Sequence, residues 1–280
     1  MGTIDKKVYA IWSPKGGIGK TFITSHLAKW ASTKGLLTGV IDFNRQAPST
    51  AAALNIRLPR EKSLKEALYT ERESDVITNF HNNEKDKDLF CTGLNVNNDV
   101  DDLFEVTDHQ IIKLLEIAKS KFNILLLDLP TSYLELTSYE SWKYADKIVV
   151  VIDNDYNTIV ALKSYIKFLK EVNIPLNNLI VVINKDMGLL SGQEVEEMCG
   201  LPVSVTIPFY KQIVKDMNEG KTVFETGGSF KDRKIIQGIQ KLYGLLTSNG
   251  DKARSESKSL FKIGKLIGNK KVVKEVKTNE

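Results

Sequence analysis

Cysteine and histidine are scarce in this chain. The two cysteines, Cys91 and Cys199, lie far apart in a sequence of 280 residues and form no Cys-x-x-Cys pair. That excludes a disulfide framework and a cysteine metal site, and it fits a reducing cytoplasm. The three histidines, His26, His81 and His109, are scattered and read as surface or helix residues rather than metal ligands. No apolar run approaches the ~18 residues that span a bilayer, so any membrane contact must be peripheral. The first seven residues lead straight into a strand-like segment and hold no apolar signal region.

What remains is an ordinary soluble composition, 42% hydrophobic and 26% charged. The length suits one sizeable α/β domain. The net charge of +4 is unevenly spread. Residues 251–280 hold nine Lys/Arg and four Asp/Glu, a net of +5, against 30 and 31 in the preceding 250 residues. A basic tail points to an anionic partner, a lipid surface or nucleic acid.

Short apolar, β-branched runs at 8–12, 37–42, 123–128, 147–153, 179–184 and 203–207 predict buried strands. Helical spacing lies between them at 22–33, 108–120, 158–172 and 210–219, with Thr107 and Gln110 placed for a capping box. Strands alternating with helices predict a doubly wound, mostly parallel sheet with helices on both faces. Ligands of such sheets sit beyond the carboxyl ends of the strands. Residues 57–106 are irregular and polar, and predict helices and loops laid over the sheet rather than a separate domain. Residues 1–247 form the expected domain, and 248–280 a basic linker and tail.

The first strand ends in Ser13-Pro14-Lys15-Gly16-Gly17-Ile18-Gly19-Lys20-Thr21, followed by Phe22 and a helix. Glycines let the backbone curl so that successive N–H groups face phosphate oxygens. The helix adds the positive end of its dipole. Lys20 supplies a point charge to the β- and γ-phosphates, and the Thr21 hydroxyl can ligate Mg²⁺. The second strand ends in Asp42-Phe43-Asn44-Arg45-Gln46, the third in Asp128-Leu129-Pro130, the fifth in Asn184-Lys185-Asp186 and the sixth in Ile207-Pro208-Phe209. Asp128, ending an apolar strand, reads as the Walker B acid that holds Mg²⁺ through water.

With Lys15 five residues before Lys20, the loop resembles the deviant Walker A motif of the ParA/MinD ATPases, over about residues 6–247. The resemblance implies a P-loop NTPase fold of the SIMIBI type, with ATP and Mg²⁺ as ligands. It implies an ATP-dependent homodimer in which Lys15 reaches the partner's nucleotide. Asp42 matches the family acid that supports the metal and the phosphate loop. Asn44 departs from its water-positioning acid and cannot take a proton, so slow hydrolysis is expected. Asn184, Pro208 and Phe209 match the base-flanking positions. The Asn-Lys-x-Asp pattern for guanine fails, because Met187 stands where its carboxylate would be. The segments 104–130 and 207–224 look most like the CpaE/TadZ branch, which places pilus and secretion machinery, with a still unidentified protein partner. A DNA-binding partition ATPase is the alternative, although acidic residues interleave with Lys211, Lys215, Lys231, Arg233 and Lys234. An iron–sulfur ATPase would need paired cysteines, and a bacterial tyrosine kinase a tyrosine-rich tail; both are absent.

In the tail, Leu260, Phe261, Ile263, Leu266 and Ile267 fall on one side of a helical projection, opposite Lys258, Lys262 and Lys265. Residues 260–267 therefore predict a helix that lies in an anionic membrane interface. It resembles the C-terminal targeting helix of MinD and implies a cytoplasmic protein peripheral to the inner face of the membrane.

Overall fold

A computed structural model describes residues 5–95, 105–132, 134–226 and 228–248. The chain divides into two units, residues 1–242 and 243–280. The expected tail helix over 260–267 lies outside the described residues.

An eight-stranded sheet organises the first unit. Its strands are β1 (Lys7–Trp12), β2 (Thr38–Asp42), β3 (His81–Asn83), β4 (Asp86–Gly93), β5 (Ile124–Asp128), β6 (Lys147–Ile152), β7 (Leu179–Asp186) and β8 (Val203–Pro208). The spatial order is β3-β4-β2-β5-β1-β6-β7-β8. All neighbours are parallel except the β3–β4 hairpin at one edge. The doubly wound sheet expected from the sequence is present. Five of its six apolar runs are fully or largely buried strands, which is why they lack the polar alternation of a half-wetted strand, whereas the edge strand β8 buries only Val205 and Ile207 and alternates them with Ser204 and Thr206.

The helices are α1 (Lys20–Ser32), α2 (Thr50–Ala53), α3 (Leu64–Tyr69), α4 (Glu73–Thr78), α5 (Asp108–Lys121), α6 (Leu136–Tyr144), α7 (Tyr156–Glu171), α8 (Gly192–Cys199), α9 (Lys211–Asn218), α10 (Val223–Thr226) and α11 (Phe230–Thr247). Alternate strand residues serve opposite faces. Val8, Ala10 and Trp12 join Leu125, Leu127, Val150 and Ile152 in the core shared with α3 to α8. The other face receives α1, which packs on β1, β2, β4 and β5. Trp12 is fully buried and meets Trp142 and Tyr165 edge-on, with ring centroids 5.2 and 4.8 Å apart. Such pairs contribute about 1 kcal/mol each beyond area burial. Helix α5 begins with the expected box: Gln110 N–H donates to Thr107 Oγ1, and Thr107 N–H donates to Gln110 Oε1.

Residues 57–95 correct the expectation of loops and helices alone. Helices α3 and α4 are there, but β3 and β4 extend the sheet. The signal in β4 is hidden because its first residues are Asp86, Lys87 and Asp88, and its burial begins only at Leu89. The charge is used: Asp86 Oδ2 lies 3.1 Å from Lys29 Nζ and accepts from Ser32 Oγ at 2.9 Å, tying β4 to the end of α1.

Candidate functional site

The carboxyl ends of β1, β2, β5, β7 and β8 converge on the loop between β1 and α1. Gly17 and Gly19 have φ of 76° and 104°, the left-handed region that glycine enters without strain. A Cβ on Gly19 would come within 2.3 Å of Asn184 Nδ2. Asn184 is buried and donates to the Ile18 carbonyl at 2.8 Å, while Lys185 Nζ donates to the Gly17 carbonyl at 2.6 Å. The end of β7 thus clamps the loop from behind.

Lys20 is 9% exposed, and among the described residues its ammonium reaches only hydroxyls, Ser13 Oγ at 3.3 Å and Thr131 Oγ1 at 3.1 Å. Burial lowers its pKa, against the attraction of Asp128 and Asp42. A buried cation without a carboxylate contact is a poor structural choice and a good anion receptor.

Asp42 and Asp128 end adjacent strands, paired Asp42 to Asp128 in the β2–β5 register. Both are buried. Asp42 Oδ1 accepts from the backbone and side-chain amides of Asn44, and Oδ2 accepts from Ser49 N–H and Thr50 N–H, all at 2.9–3.1 Å. Asp128 Oδ2 accepts from Thr21 Oγ1 and Thr50 Oγ1, both at 2.8 Å. Asp128 Oδ1 is buried with no hydrogen-bond partner among the described residues. Burial first, then the charge of Asp42, pushes the Asp128 carboxyl up to about 7; the hydroxyls of Thr50 and Thr21 and the charge of Lys20 oppose this. Burial also raises Asp42, against its four N–H donors. An acid held this way is short of positive charge, and a cation at Oδ1 would supply it.

Two clefts open on this loop. One, of about 720 Å³, is lined by Gly16, Gly17, Lys20, Thr21, Asn44, Arg45, Thr131 and Glu135, among others. The second, of about 570 Å³, is mostly apolar and is lined by Phe22, Ala52, Asn184, Pro208, Phe209, Ile213, Met217 and their neighbours. Lys15 is exposed on the loop. The structure therefore brings the predicted residues of five segments together. Asn44 lies in the first cleft, but its carboxamide is turned back onto Asp42. Asp186 Oδ1 accepts from Asn154 Nδ2, just past β6, at 2.7 Å and from Gly188 N–H at 2.9 Å, and Met187 is 64% exposed.

Sequence reasoning missed Ser49, Thr50, Thr131, Lys185 and the α9 wall. Thr131 follows Asp128-Leu129-Pro130 directly and could have been included with it. Thr50 carried no signal, because its role is to link Asp42 to Asp128 across two strands.

A family model described as "AAA domain" matches residues 6–182, more than half of the chain. The chain belongs to this AAA-domain family. An iron–sulfur cluster carrier protein of Rickettsia felis is 22% identical over 212 residues, which is 74% of this chain and 63% of that protein, so the match spans less than two thirds of that relative. A ParA family ATPase from Chlorobium tepidum superposes with a TM-score of 0.74 at 16% identity, covering 85% of this chain and 98% of that one. The septum site-determining protein MinD of Pyrococcus horikoshii, solved with Mg-ADP, gives a TM-score of 0.70 at 16% identity, covering 86% and 96%. This member of the AAA-domain family thus has the fold of the ParA and MinD ATPases.

Proposed function

We propose that this chain is an ATP-binding, homodimeric molecular switch of the ParA/MinD type, which hydrolyses ATP slowly and positions a cellular assembly. The observation that carries the reading is the unpartnered, buried Oδ1 of Asp128 beside the Thr21 hydroxyl and the buried Lys20 ammonium. Hard oxygen donors of this kind suit Mg²⁺. Thr21 and Asp128 would hold the ion. Asp42, assigned from the sequence as part of the metal set, has its oxygens filled by four N–H donors, and supports the site through Thr50. Bound there, Mg²⁺ supplies charge neutralisation at the phosphates. Lys20 and the N–H groups of the loop hold the phosphates, and the apolar cleft beside Phe22, Pro208 and Phe209 takes the base. With Asp186 bonded to Asn154 and Gly188 and Met187 exposed, no carboxylate stands among the described residues that line the apolar cleft to meet guanine, which favours ATP.

Dimerisation rests on Lys15, an exposed cation on the phosphate loop that makes no ion pair among the described residues. The segments 104–130, which includes α5 and β5, and 207–224, which starts at the end of β8, support a CpaE/TadZ-like role in placing pilus or secretion machinery with a further protein partner. The tail at 260–267 supplies the membrane contact in this reading, and nucleic acid is the less favoured partner. Iron–sulfur carriage, the role named for the Rickettsia relative, finds no support in the cysteines. Cys91 is buried in β4 and Cys199 is buried at the end of α8, which precedes β8 at the opposite edge of the sheet.

Calorimetric titration and light scattering with ATP and Mg²⁺ test the reading. Wild type should bind ATP and double its mass, whereas Lys20→Ala should bind none. A wild-type chain that binds ATP but stays monomeric would sink the switch.

A further inference from the structure

Asn44 leaves the proposed ATPase without a proton acceptor at the expected position, and its amide is spent on Asp42. The first cleft nevertheless contains a carboxylate. Glu135 is the one acidic residue among the described residues that line it. Glu135 occupies the N-cap position of α6, where a side chain commonly accepts from the first turn, yet it makes no such bond. Its Oε2 instead accepts from Arg45 Nε at 3.3 Å, with the two side chains 19% and 16% exposed. Arg45 directly follows Asn44 and lines the same cleft as Lys20 and Thr21. A largely desolvated Arg–carboxylate pair in a phosphate cleft is poised for exchange. A terminal phosphate offers the guanidinium a strong, bidentate partner of higher charge than a carboxylate.

We infer that Arg45 and Glu135 form a γ-phosphate-responsive pair in which Arg45 moves to the terminal phosphate and Glu135 becomes the proton acceptor that Asn44 cannot be. The inference rests on the ATP-binding reading above. In the step, a water oxygen bonds to the γ-phosphorus, and the bond from that phosphorus to the bridging oxygen breaks. Its electron pair stays on ADP, and one water proton passes to the Glu135 carboxylate, which returns it to solvent. Without a γ-phosphate the pair stays closed, so ADP leaves the carboxylate latched.

The test combines steady-state ATPase kinetics with titration of ADP and a non-hydrolysable ATP analogue, using the full chain. Glu135→Gln should lower kcat at least about tenfold, the low end of general-base effects, and leave analogue affinity within about twofold. Glu135→Asp should recover part of the rate. Arg45→Ala should weaken the analogue about tenfold, as loss of a charge-assisted bidentate contact does, and leave ADP unchanged. A Glu135→Gln variant with wild-type kcat overturns the proposal. So does one whose analogue affinity falls as far as its rate, which marks a structural role. An Arg45→Ala variant that loses ADP and analogue equally removes the γ-phosphate response. Wild type that binds ATP without turnover overturns the role of Glu135 alone, whereas wild type that binds no ATP overturns the nucleotide reading itself.

Discussion

Replacing Asp128 by Asn tests the charge shortage at the centre of the site. The Asp128 carboxyl is raised from 3.8 to about 7 by burial and by Asp42. Between about pH 4 and pH 7 the folded protein holds a proton there that the unfolded chain has released. Stability from this group is therefore full below the unfolded value and is lost as pH rises through the folded one. A shift of that size makes wild type about 2–3 kcal/mol less stable at pH 8 than at pH 5 on this account alone. Asn keeps an acceptor for Thr21 and Thr50 and has no charge to lose. Its new amide donor, placed where Oδ1 has no partner, costs roughly 1–3 kcal/mol at both pH values and cancels in the comparison. The gap in melting temperature between variant and wild type should thus move in favour of the variant by roughly 5–10 °C from pH 5 to pH 8, in EDTA. Adding ATP and Mg²⁺ at pH 8 should stabilise wild type and not the variant. A gap that does not change with pH, or equal stabilisation by ATP and Mg²⁺, would refute the argument that Asp128 is a buried acid awaiting a cation.

Lys15→Ala should still bind ATP but show no ATP-induced doubling of mass in light scattering, because the exposed ammonium acts on the partner's nucleotide. Gly19→Ala forces a side chain into φ 104° and against Asn184 Nδ2, and should cost about 1–3 kcal/mol in urea unfolding as well as nucleotide binding. Asn44→Asp, introduced into Glu135→Gln, should restore part of the ATPase rate by returning a proton acceptor to the same cleft. Phe261→Glu should abolish ATP-dependent co-flotation with anionic liposomes; tight, salt-sensitive binding of wild type to duplex DNA without flotation would instead favour the partition alternative.

Much of this was legible in the chain. The Lys-Gly-Gly-x-Gly-Lys-Thr spacing, the strand-terminal Asp42 and Asp128, and the buried strands follow from local chemistry, since glycine, terminal acids and continuous apolar runs act within a few residues of themselves. The β3–β4 hairpin was not legible, because three charged residues mask the start of β4 and its burial comes from α1 and β2, not from its own pattern. Asp42 illustrates the same limit within the site. Its identity marks it for the nucleotide, but only the fold shows its oxygens saturated by Asn44, Ser49 and Thr50.

By itself the sequence determined which groups are available: a phosphate loop, two strand-terminal acids, an extra lysine and an asparagine where an acid is expected. The tertiary structure decided which of them meet. It left Asp128 Oδ1 without a donor, turned Asn44 onto Asp42, and carried Glu135 across 90 residues of chain to Arg45. The division has a physical cause. A motif fixes its own backbone conformation, whereas the pKa of a buried acid and the partner of a side chain depend on what other segments the sheet order brings alongside, and no local spacing encodes that.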